Sequence, residues 1–137
     1  MSMSSLELLN QPNILLAVAG ATDDPDKFGH AVYRDLKHKH YRVFPVNPWR
    51  ETVDGDCAYP NIQMLPEVPD LVVLVVPPDS SLAVAQDCMR AGISHLWLQP
   101  GAESPAVLDY LRENGFNYVA GACIMVKTRR AKQTIKL

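Results

Sequence analysis

The sequence lacks the markers of several protein classes. Its three cysteines lie far apart and form no Cys-x-x-Cys or Cys/His pattern, which argues against a metal site or a disulfide framework and predicts reduced thiols. No apolar run approaches the roughly 20 residues that cross a bilayer, and the first residues carry no positive charge of a signal peptide. A net charge of -2 excludes a general polyanion binder. We therefore expect a cytoplasmic protein that binds neither a membrane nor a nucleic acid.

Two motifs of nucleotide-binding proteins are also missing. A dinucleotide-binding loop has the pattern Gly-x-Gly-x-x-Gly, whereas here only Gly20 and Gly29 flank the segment after the first apolar run. No Gly-Lys-Ser/Thr follows, so nothing supports hydrolysis of a nucleoside triphosphate. The second apolar run ends in Val46-Asn47-Pro48, without the acid that binds the ribose in NAD enzymes. These absences disfavour an NAD(P)-dependent oxidoreductase but leave it as an alternative.

The sequence does contain a series of short apolar runs. Residues 14–19 and 71–76 are apolar throughout, which is typical of parallel strands that are buried on both faces. Runs at 41–46, 93–98 and 116–119 predict three more strands, and helical patterns lie between the strands. This alternation is typical of right-handed βαβ units. We predict one α/β domain over residues 1–126, a Rossmann-like, doubly wound and mostly parallel five-stranded sheet with helices on both faces.

Capping residues and helical spacing predict the helices. Ser4 or Ser5 can cap a short first helix, and Asp79 or Ser80 can cap a later helix that Gly92 ends. The spacing predicts these inward-facing residues: Val32, Tyr33, Leu36 and His40 in the first long helix, and Leu82, Ala85, Cys88 and Met89 in the second. Residues 127–137 form a basic tail without interleaved aromatic residues, which predicts a solvated end rather than a nucleic-acid-binding arm.

The segment from residue 20 to residue 29 is the candidate site. It follows an apolar strand, and the carboxyl end of a parallel strand is where an open α/β sheet binds ligands. Free N–H groups at the start of the next helix favour an anion there. We therefore predict a nucleotide or phosphate site, although Gly20 has the plainer explanation that it lets the strand turn into the helix.

Six segments of the chain resemble, in the same order, those of the small single-domain CoA-binding proteins. They are Gly20-Ala21-Thr22, Lys27-Phe28-Gly29, Pro45-Val46-Asn47-Pro48, Val76-Pro77-Pro78, Leu96-Trp97-Leu98-Gln99-Pro100-Gly101 and Cys123-Ile124-Met125-Val126. These proteins are similar to the amino-terminal CoA-binding domain of the succinyl-CoA synthetase α subunit. The resemblance extends to residue 126 and implies a Rossmann-like fold with CoA lying across the carboxyl ends of the strands.

The resemblance also implies which residues bind CoA. Gly20, Ala21 and Thr22 would face the pyrophosphate with backbone N–H groups. The other implied contacts are Lys27 at a phosphate, with Phe28 and Gly29 in the same motif; Asn47 and Pro48 at the nucleotide; Val76 and Pro77 as an apolar wall; Gln99 and Gly101 at the pantetheine arm; and Cys123 and Ile124 in the last motif. Cys123 itself is expected to be a buried, unreactive thiol.

Three acids depart from what a polyphosphate site needs. Asp23, Asp24 and Asp26 lie between the glycine turn and Lys27. Carboxylates beside bound phosphates are unfavourable because like charges repel, unless they point to solvent or cap the helix.

The resemblance implies binding rather than catalysis. The synthetase uses a phosphorylated histidine from a further domain and a nucleotide-binding partner subunit, neither of which we expect in this chain. We therefore expect no catalytic residues and no autonomous ligase activity. The expected function is that of a carrier, sensor or regulatory module for CoA or acyl-CoA, and self-association or a protein partner stays open. A protein-interaction scaffold that has lost its ligand is a further alternative.

Overall fold

The computed structural model describes residues 3–132 and contains a series of alternating strands and helices. The strands are β1 (Leu15–Ala19), β2 (Arg42–Val46), β3 (Thr52–Val53), β4 (Asp56–Cys57), β5 (Leu71–Leu74), β6 (His95–Leu98) and β7 (Asn117–Ala120). The helices are α1 (Ser5–Leu8), α2 (Phe28–His38), α3 (Pro78–Ala91), α4 (Pro105–Glu113) and α5 (Ile124–Lys127), with a 3-10 turn at Ile62–Met64. The five strands expected from the apolar runs are confirmed.

The main sheet is five-stranded and parallel, with the strand order β2-β1-β5-β6-β7. The chain first moves from β1 to β2 and then crosses back to β5 on the other side of β1. The topological switch point therefore lies between β1 and β5, and the carboxyl ends of these strands form the crevice where such sheets bind ligands. The doubly wound fold is confirmed, and β3 and β4 add a separate antiparallel hairpin.

Alternate residues of the strands supply two cores on opposite faces of the sheet. Leu16 and Val18 pack with α2 and α5 on one face, whereas Ala17 and Ala19 pack with α3 and α4 on the other. All five residues of β1 are buried, as expected for a central parallel strand. Trp97 of β6 is fully buried in the first of these cores.

Three details of the predicted helices are wrong. His40 is exposed and lies beyond the end of α2, in a left-handed conformation with φ of 68° that leads into β2. Neither Asp79 nor Ser80 caps α3, because the helix already begins at Pro78, whose ring fixes a helical φ and whose missing N–H needs no partner. The buried stripe of α3 passes through Ser81, Ala85 and Cys88, so Met89 lies at its border and is half exposed.

The first part of the predicted basic tail packs against the domain. Helix α5 continues to Lys127, and Thr128 is buried. The backbone N–H of Ala131 donates to the Lys39 carbonyl at 2.7 Å, and the Lys132 carbonyl accepts the N–H of Asn13. Residues 133–137 lie outside the described residues, so the division of the chain at residue 126 stays a prediction. Between residues 3 and 132, no helix is both long and apolar enough to cross a membrane.

Candidate functional site

Two glycines bring β1, β5 and α2 unusually close together at the carboxyl edge of the sheet. Gly20 has a φ of 98°, and a Cβ there would lie 2.2 Å from the carbonyl oxygen of Val75. A Cβ on Gly29, in the first turn of α2, would lie 1.9 Å from the carbonyl oxygen of Gly20. Both glycines therefore have a steric reason to be glycine. Their effect is to place the amino terminus of α2 directly against the loop that follows β1.

The N–H groups that face this edge are not all those that the resemblance implied. The Gly20 N–H donates to Val46 at 3.0 Å, and the Ala21 N–H donates to Val18 at 3.4 Å, so both are already paired within the protein. In the described part of the chain, the N–H groups of Phe28 and Gly29 have no acceptor, as is usual for a first helical turn. The dipole of this 11-residue helix adds partial positive charge there. Of the three expected backbone donors, the Thr22 N–H alone has no acceptor among residues 3–132, and the start of α2 adds two donors that were not predicted as such.

A first cleft of about 530 Å³ opens at the carboxyl ends of β1, β2 and β5. Its remaining wall comes from α3, between Ser80 and Asp87, and from the segment that leads into the 3-10 turn. Its lining includes Gly20, Thr22, Asp24, Lys27, Asn47, Pro48, Trp49, Arg50, Asn61, Val75, Val76, Pro77, Ser80 and Asp87.

A second cleft of about 410 Å³ adjoins the first at the ends of β1, β5 and β6. The first turn of α2 and the loop after β6 complete its walls, through Phe28, Gly29, Gln99, Pro100, Gly101 and Ala102. Both clefts share five lining residues, which are Gly20, Lys27, Val75, Val76 and Pro77. The two clefts therefore meet along one ridge at the switch point of the sheet.

Most of the residues predicted to bind a ligand come together at this edge. Those that line one or both clefts are Gly20, Thr22, Lys27, Phe28, Gly29, Asn47, Pro48, Val76, Pro77, Gln99 and Gly101. Ala21 and Ile124 are fully buried and line neither cleft. Cys123, which was expected to be buried, is half-buried directly before α5; it also lies outside both linings, and its sulfur accepts a hydrogen bond from the Gln99 amide.

Asn47 fixes the end of β2 to the loop after β1. Its side-chain amide donates to the Ala21 carbonyl at 2.9 Å, and its side-chain oxygen accepts the Trp49 N–H at 2.8 Å. The following Pro48 restricts the backbone further, since the residue before proline avoids helical angles. The turn that carries Trp49 and Arg50 is consequently held in a defined position at the mouth of the first cleft.

Two cations line the first cleft. Lys27 also lines the second cleft and forms no ion pair with any residue from 3 to 132. Arg50 lies 3.9 Å from Asp23, a long contact in which the guanidinium is only loosely held. A phosphate group in this cleft would therefore find the unpaired ammonium group of Lys27. It could also form a charge-assisted hydrogen bond with the Arg50 guanidinium in place of the long contact to Asp23.

The three acids of the loop point mostly away from the clefts. Asp23 and Asp26 are exposed, and the Asp23 carboxylate accepts the N–H of Asp54 at 2.7 Å. Asp24 lines the first cleft, but one of its oxygens accepts the Asp26 N–H at 3.0 Å. The carboxylates thus serve largely to shape the loop and to join it to the β3–β4 hairpin.

That hairpin is held on α2 by a small polar network. The Tyr33 hydroxyl donates to Asp56 at 2.6 Å, and the Lys37 ammonium lies 2.8 Å from the same carboxylate. Burial, which by itself would raise the pKa of Asp56, is outweighed by the hydrogen bonds from Lys37 and Tyr33, so this pKa lies below its usual value. Burial and the Asp56 contact raise the pKa of Tyr33, so its hydroxyl stays protonated as a donor. The network supports the chain segment immediately after Arg50.

Gln99 supports the floor of the second cleft from a buried position. It is only 1% exposed, its side-chain oxygen accepts the Ile124 N–H at 2.7 Å, and its amide group donates to the Cys123 sulfur at 3.2 Å. Because both polar ends of Gln99 are used internally, its role in the described structure is to join β6 to the start of α5. The Gly101 N–H is likewise engaged, with the Glu103 carboxylate at 3.3 Å.

Several residues of the first cleft were not predicted from the sequence. Trp49 and Arg50 follow Asn47 and Pro48 directly, so a basic residue just after a strand end was an available signal for Arg50. Asn61, Ser80 and Asp87 come from segments far along the chain, and no local pattern associates them with the glycine loop.

The comparisons with known proteins agree with this arrangement. The sequence matches the family profile described as "CoA binding domain" over residues 15–129. It is 40% identical to the solved structure of a conserved hypothetical protein from Pyrococcus furiosus, with a TM-score of 0.81 and coverage of 84% of this chain and 99% of that one. The two proteins thus have the same fold over nearly the whole of the Pyrococcus furiosus chain.

Larger relatives contain the same unit as one part. The chain is 35% identical over 79 residues to the acetate–CoA ligase [ADP-forming] II subunit alpha of Pyrococcus furiosus. These 79 residues are 57% of this chain and 17% of that subunit. The acetyl-coenzyme A synthetase 1 of Ca. Korarchaeum cryptofilum, solved with phosphate and ADP, has 28% identity and a TM-score of 0.71, covering 86% of this chain and 27% of that one. This protein therefore spans less than a third of either relative, and it belongs to the family of CoA-binding-domain proteins.

Proposed function

We propose that the protein binds CoA or acyl-CoA across the two clefts and serves as a carrier, sensor or regulatory module. The observation that carries this proposal is the shared ridge at Gly20, Lys27, Val76 and Pro77, over which one extended ligand would lie in both clefts. Each cleft has a volume within the usual range of roughly 300–1,000 Å³ for small-molecule sites. A nucleotide half joined to a flexible arm matches two connected clefts better than one compact ligand does.

The polar end of CoA would lie in the first cleft. Lys27 and Arg50 supply positive charge there, and the free N–H groups of Phe28 and Gly29, in the first turn of α2, lie in the adjoining second cleft, next to Lys27. Phosphates bind well to such a combination because charge-assisted hydrogen bonds are stronger than neutral ones. We assign the pyrophosphate to Lys27 and the start of α2, and the 3′-phosphate to Arg50.

The pantetheine arm would lie in the second cleft. Val76 and Pro77 form its apolar wall, and Gln99 and Gly101 lie at its far side. Apolar walls with few polar groups suit an arm that carries two amides and long aliphatic stretches. This placement puts the thiol end of CoA on the β6 side of the sheet, near the segment that contains Cys123.

A binding role without catalysis is supported by the residues around the clefts. In the described part of the chain, no histidine or cysteine lines either cleft. His30, in the first turn of α2, has its Nδ1 3.3 Å from the Thr22 carbonyl oxygen. Cys88 is enclosed in the core, where burial raises the pKa of its thiol to about 12. The linings of both clefts therefore lack the histidine that pairs with a serine or cysteine nucleophile in acyl transfer.

Isothermal titration calorimetry tests the proposal. The purified protein is titrated with CoA, dephospho-CoA and NAD, alongside the variants Lys27→Ala and Arg50→Ala. Arg112→Ala is the matched control, since Arg112 is an exposed cation on α4 that lines neither cleft. We expect saturable CoA binding that weakens about tenfold in Lys27→Ala, as for the loss of one charge-assisted hydrogen bond.

The ligand series distinguishes the alternatives. Arg50→Ala should remove the preference for CoA over dephospho-CoA, while Arg112→Ala should bind as the wild type does. Tight NAD binding without CoA binding would show that the protein is an NAD(P)-binding domain. No heat from any of the three ligands would favour the scaffold. Formation of acyl-CoA by the pure protein from acid, CoA and nucleotide, measured in a coupled assay, would contradict the non-catalytic role.

A further inference from the structure

Trp49 is an unusually exposed aromatic residue at the mouth of the first cleft. Its side chain is 89% exposed, the highest value among the large hydrophobic residues that the structure describes, whereas Trp97 is completely buried. Leaving an indole in water forgoes the free energy that burial of apolar surface would supply. Large exposed aromatic groups at the rim of a cleft are typical of ligand contacts.

The turn that carries this indole is held by hydrogen bonds. The Trp49 N–H donates to the Asn47 side chain, and the same side chain donates to the Ala21 carbonyl in the loop after β1. Pro48 between them limits the backbone to few conformations. The ring therefore projects from a turn whose backbone is held in place, so little backbone conformational entropy would be lost when a ligand covers it.

The neighbours of Trp49 point to a flat aromatic ligand that carries phosphate. Arg50, the next residue, lines the same cleft, as do Pro60 and Ile62. A π-face together with apolar walls and a cation suits a nucleobase attached to a phosphorylated ribose, because stacking on an aromatic ring requires no particular hydrogen-bonding edge. The pantetheine arm has no ring and would gain nothing comparable from an indole.

We infer that Trp49 stacks on the adenine ring of bound CoA and is the main contact that holds the base. This inference rests on the proposed function. It adds that a single aromatic side chain gives ligands with an adenine base a higher affinity than ligands without one. The variants Trp49→Phe and Trp49→Ala test it, with CoA, 3′,5′-ADP and 4′-phosphopantetheine as ligands.

Intrinsic fluorescence gives a direct readout, because the protein has two tryptophans and only Trp49 is exposed. CoA and 3′,5′-ADP should quench the emission of the wild type saturably, whereas 4′-phosphopantetheine should not. The emission of Trp49→Phe comes from the buried Trp97 alone and should not respond to any of the three. Unchanged unfolding curves of both variants would show that the exposed position tolerates substitution.

Calorimetry completes the test. Trp49→Ala should bind CoA and 3′,5′-ADP about tenfold more weakly than the wild type, whereas Trp49→Phe should retain most of the affinity. The affinity for 4′-phosphopantetheine should be the same in the wild type and in both variants. Unquenched wild-type emission with equal CoA affinity in Trp49→Ala would overturn the stacking and leave the proposed function intact. Absence of CoA binding to the wild type would overturn the proposed function and the stacking with it.

Discussion

Replacement of Gly29 by alanine would have two effects of opposite sign on the free energy of unfolding. Gly29 lies in the first turn of α2, where alanine would favour the helix by up to about 1 kcal/mol over glycine. The added Cβ, however, would lie 1.9 Å from the carbonyl oxygen of Gly20, far inside van der Waals contact. Because that oxygen belongs to the backbone, either α2 or the loop after β1 has to move.

The steric effect should be the larger one. Forcing an extra methyl group into a closely packed region costs typically 1–3 kcal/mol, and contact with a backbone atom lies at the upper end because no side chain can rotate away. After the helix preference is subtracted, we expect Gly29→Ala to lower the free energy of unfolding by about 2 kcal/mol. For a domain of this size that corresponds to roughly 6–10 °C in Tm.

Chemical denaturation followed by circular dichroism measures this loss, and Gly92 provides the matched control. Gly92 has a φ of 76° with open space around it, so Gly92→Ala should lose about 1 kcal/mol from backbone strain and Gly92→Asn should recover most of it. Gly29→Asn should be no better than Gly29→Ala, since the collision begins at Cβ. A Gly29→Ala protein as stable as the wild type would refute the reasoning.

Three further predictions concern the polar contacts. Asn47→Ala removes the bonds to Ala21 and Trp49 and should weaken CoA binding several-fold in calorimetry; unchanged affinity would show that the turn needs no such support. Gln99→Leu leaves the buried Ile124 N–H without its acceptor and should cost about 1–3 kcal/mol in denaturant unfolding, and equal stability would contradict this. Burial lowers the pKa of His95 from 6.5, so its contribution to stability is complete above about pH 6.5 and is lost as the pH falls towards the folded-state pKa. Melting curves from pH 7.5 to 5 should therefore show a loss that His95→Gln reduces, and identical pH profiles would exclude this group.

The fold was predictable because its signals are local. Continuous apolar runs mark β1 and β5, and a glycine in the left-handed conformation ends α3 as expected. Met89 was placed wrongly because helical spacing does not reveal which part of an apolar stripe meets the sheet. In the structure the buried residues of this helix are Ser81, Ala85 and Cys88, whereas Met89 is half exposed.

The candidate site was only partly predictable. Lys27 and Asn47 belong to segments at strand ends, where parallel topology brings ligand-binding residues together. The N–H groups of Gly20 and Ala21 were expected to face a ligand, yet they pair with Val46 and Val18. Sequence cannot show this, because whether an N–H group is free depends on the position of a neighbouring strand or turn.

The amino-acid sequence by itself determined the alternation of strands and helices, the glycine turn after β1 and the family to which the chain belongs. Hydrophobic period, turn residues and motif order are all properties of neighbouring positions. Only the tertiary structure decided that two clefts share the ridge at Lys27, that Ser80 and Asn61 join the first cleft, and that Trp49 stands exposed beside it. The physical reason is that these features depend on distances between segments far apart in the chain, which the packing of helices on the sheet sets.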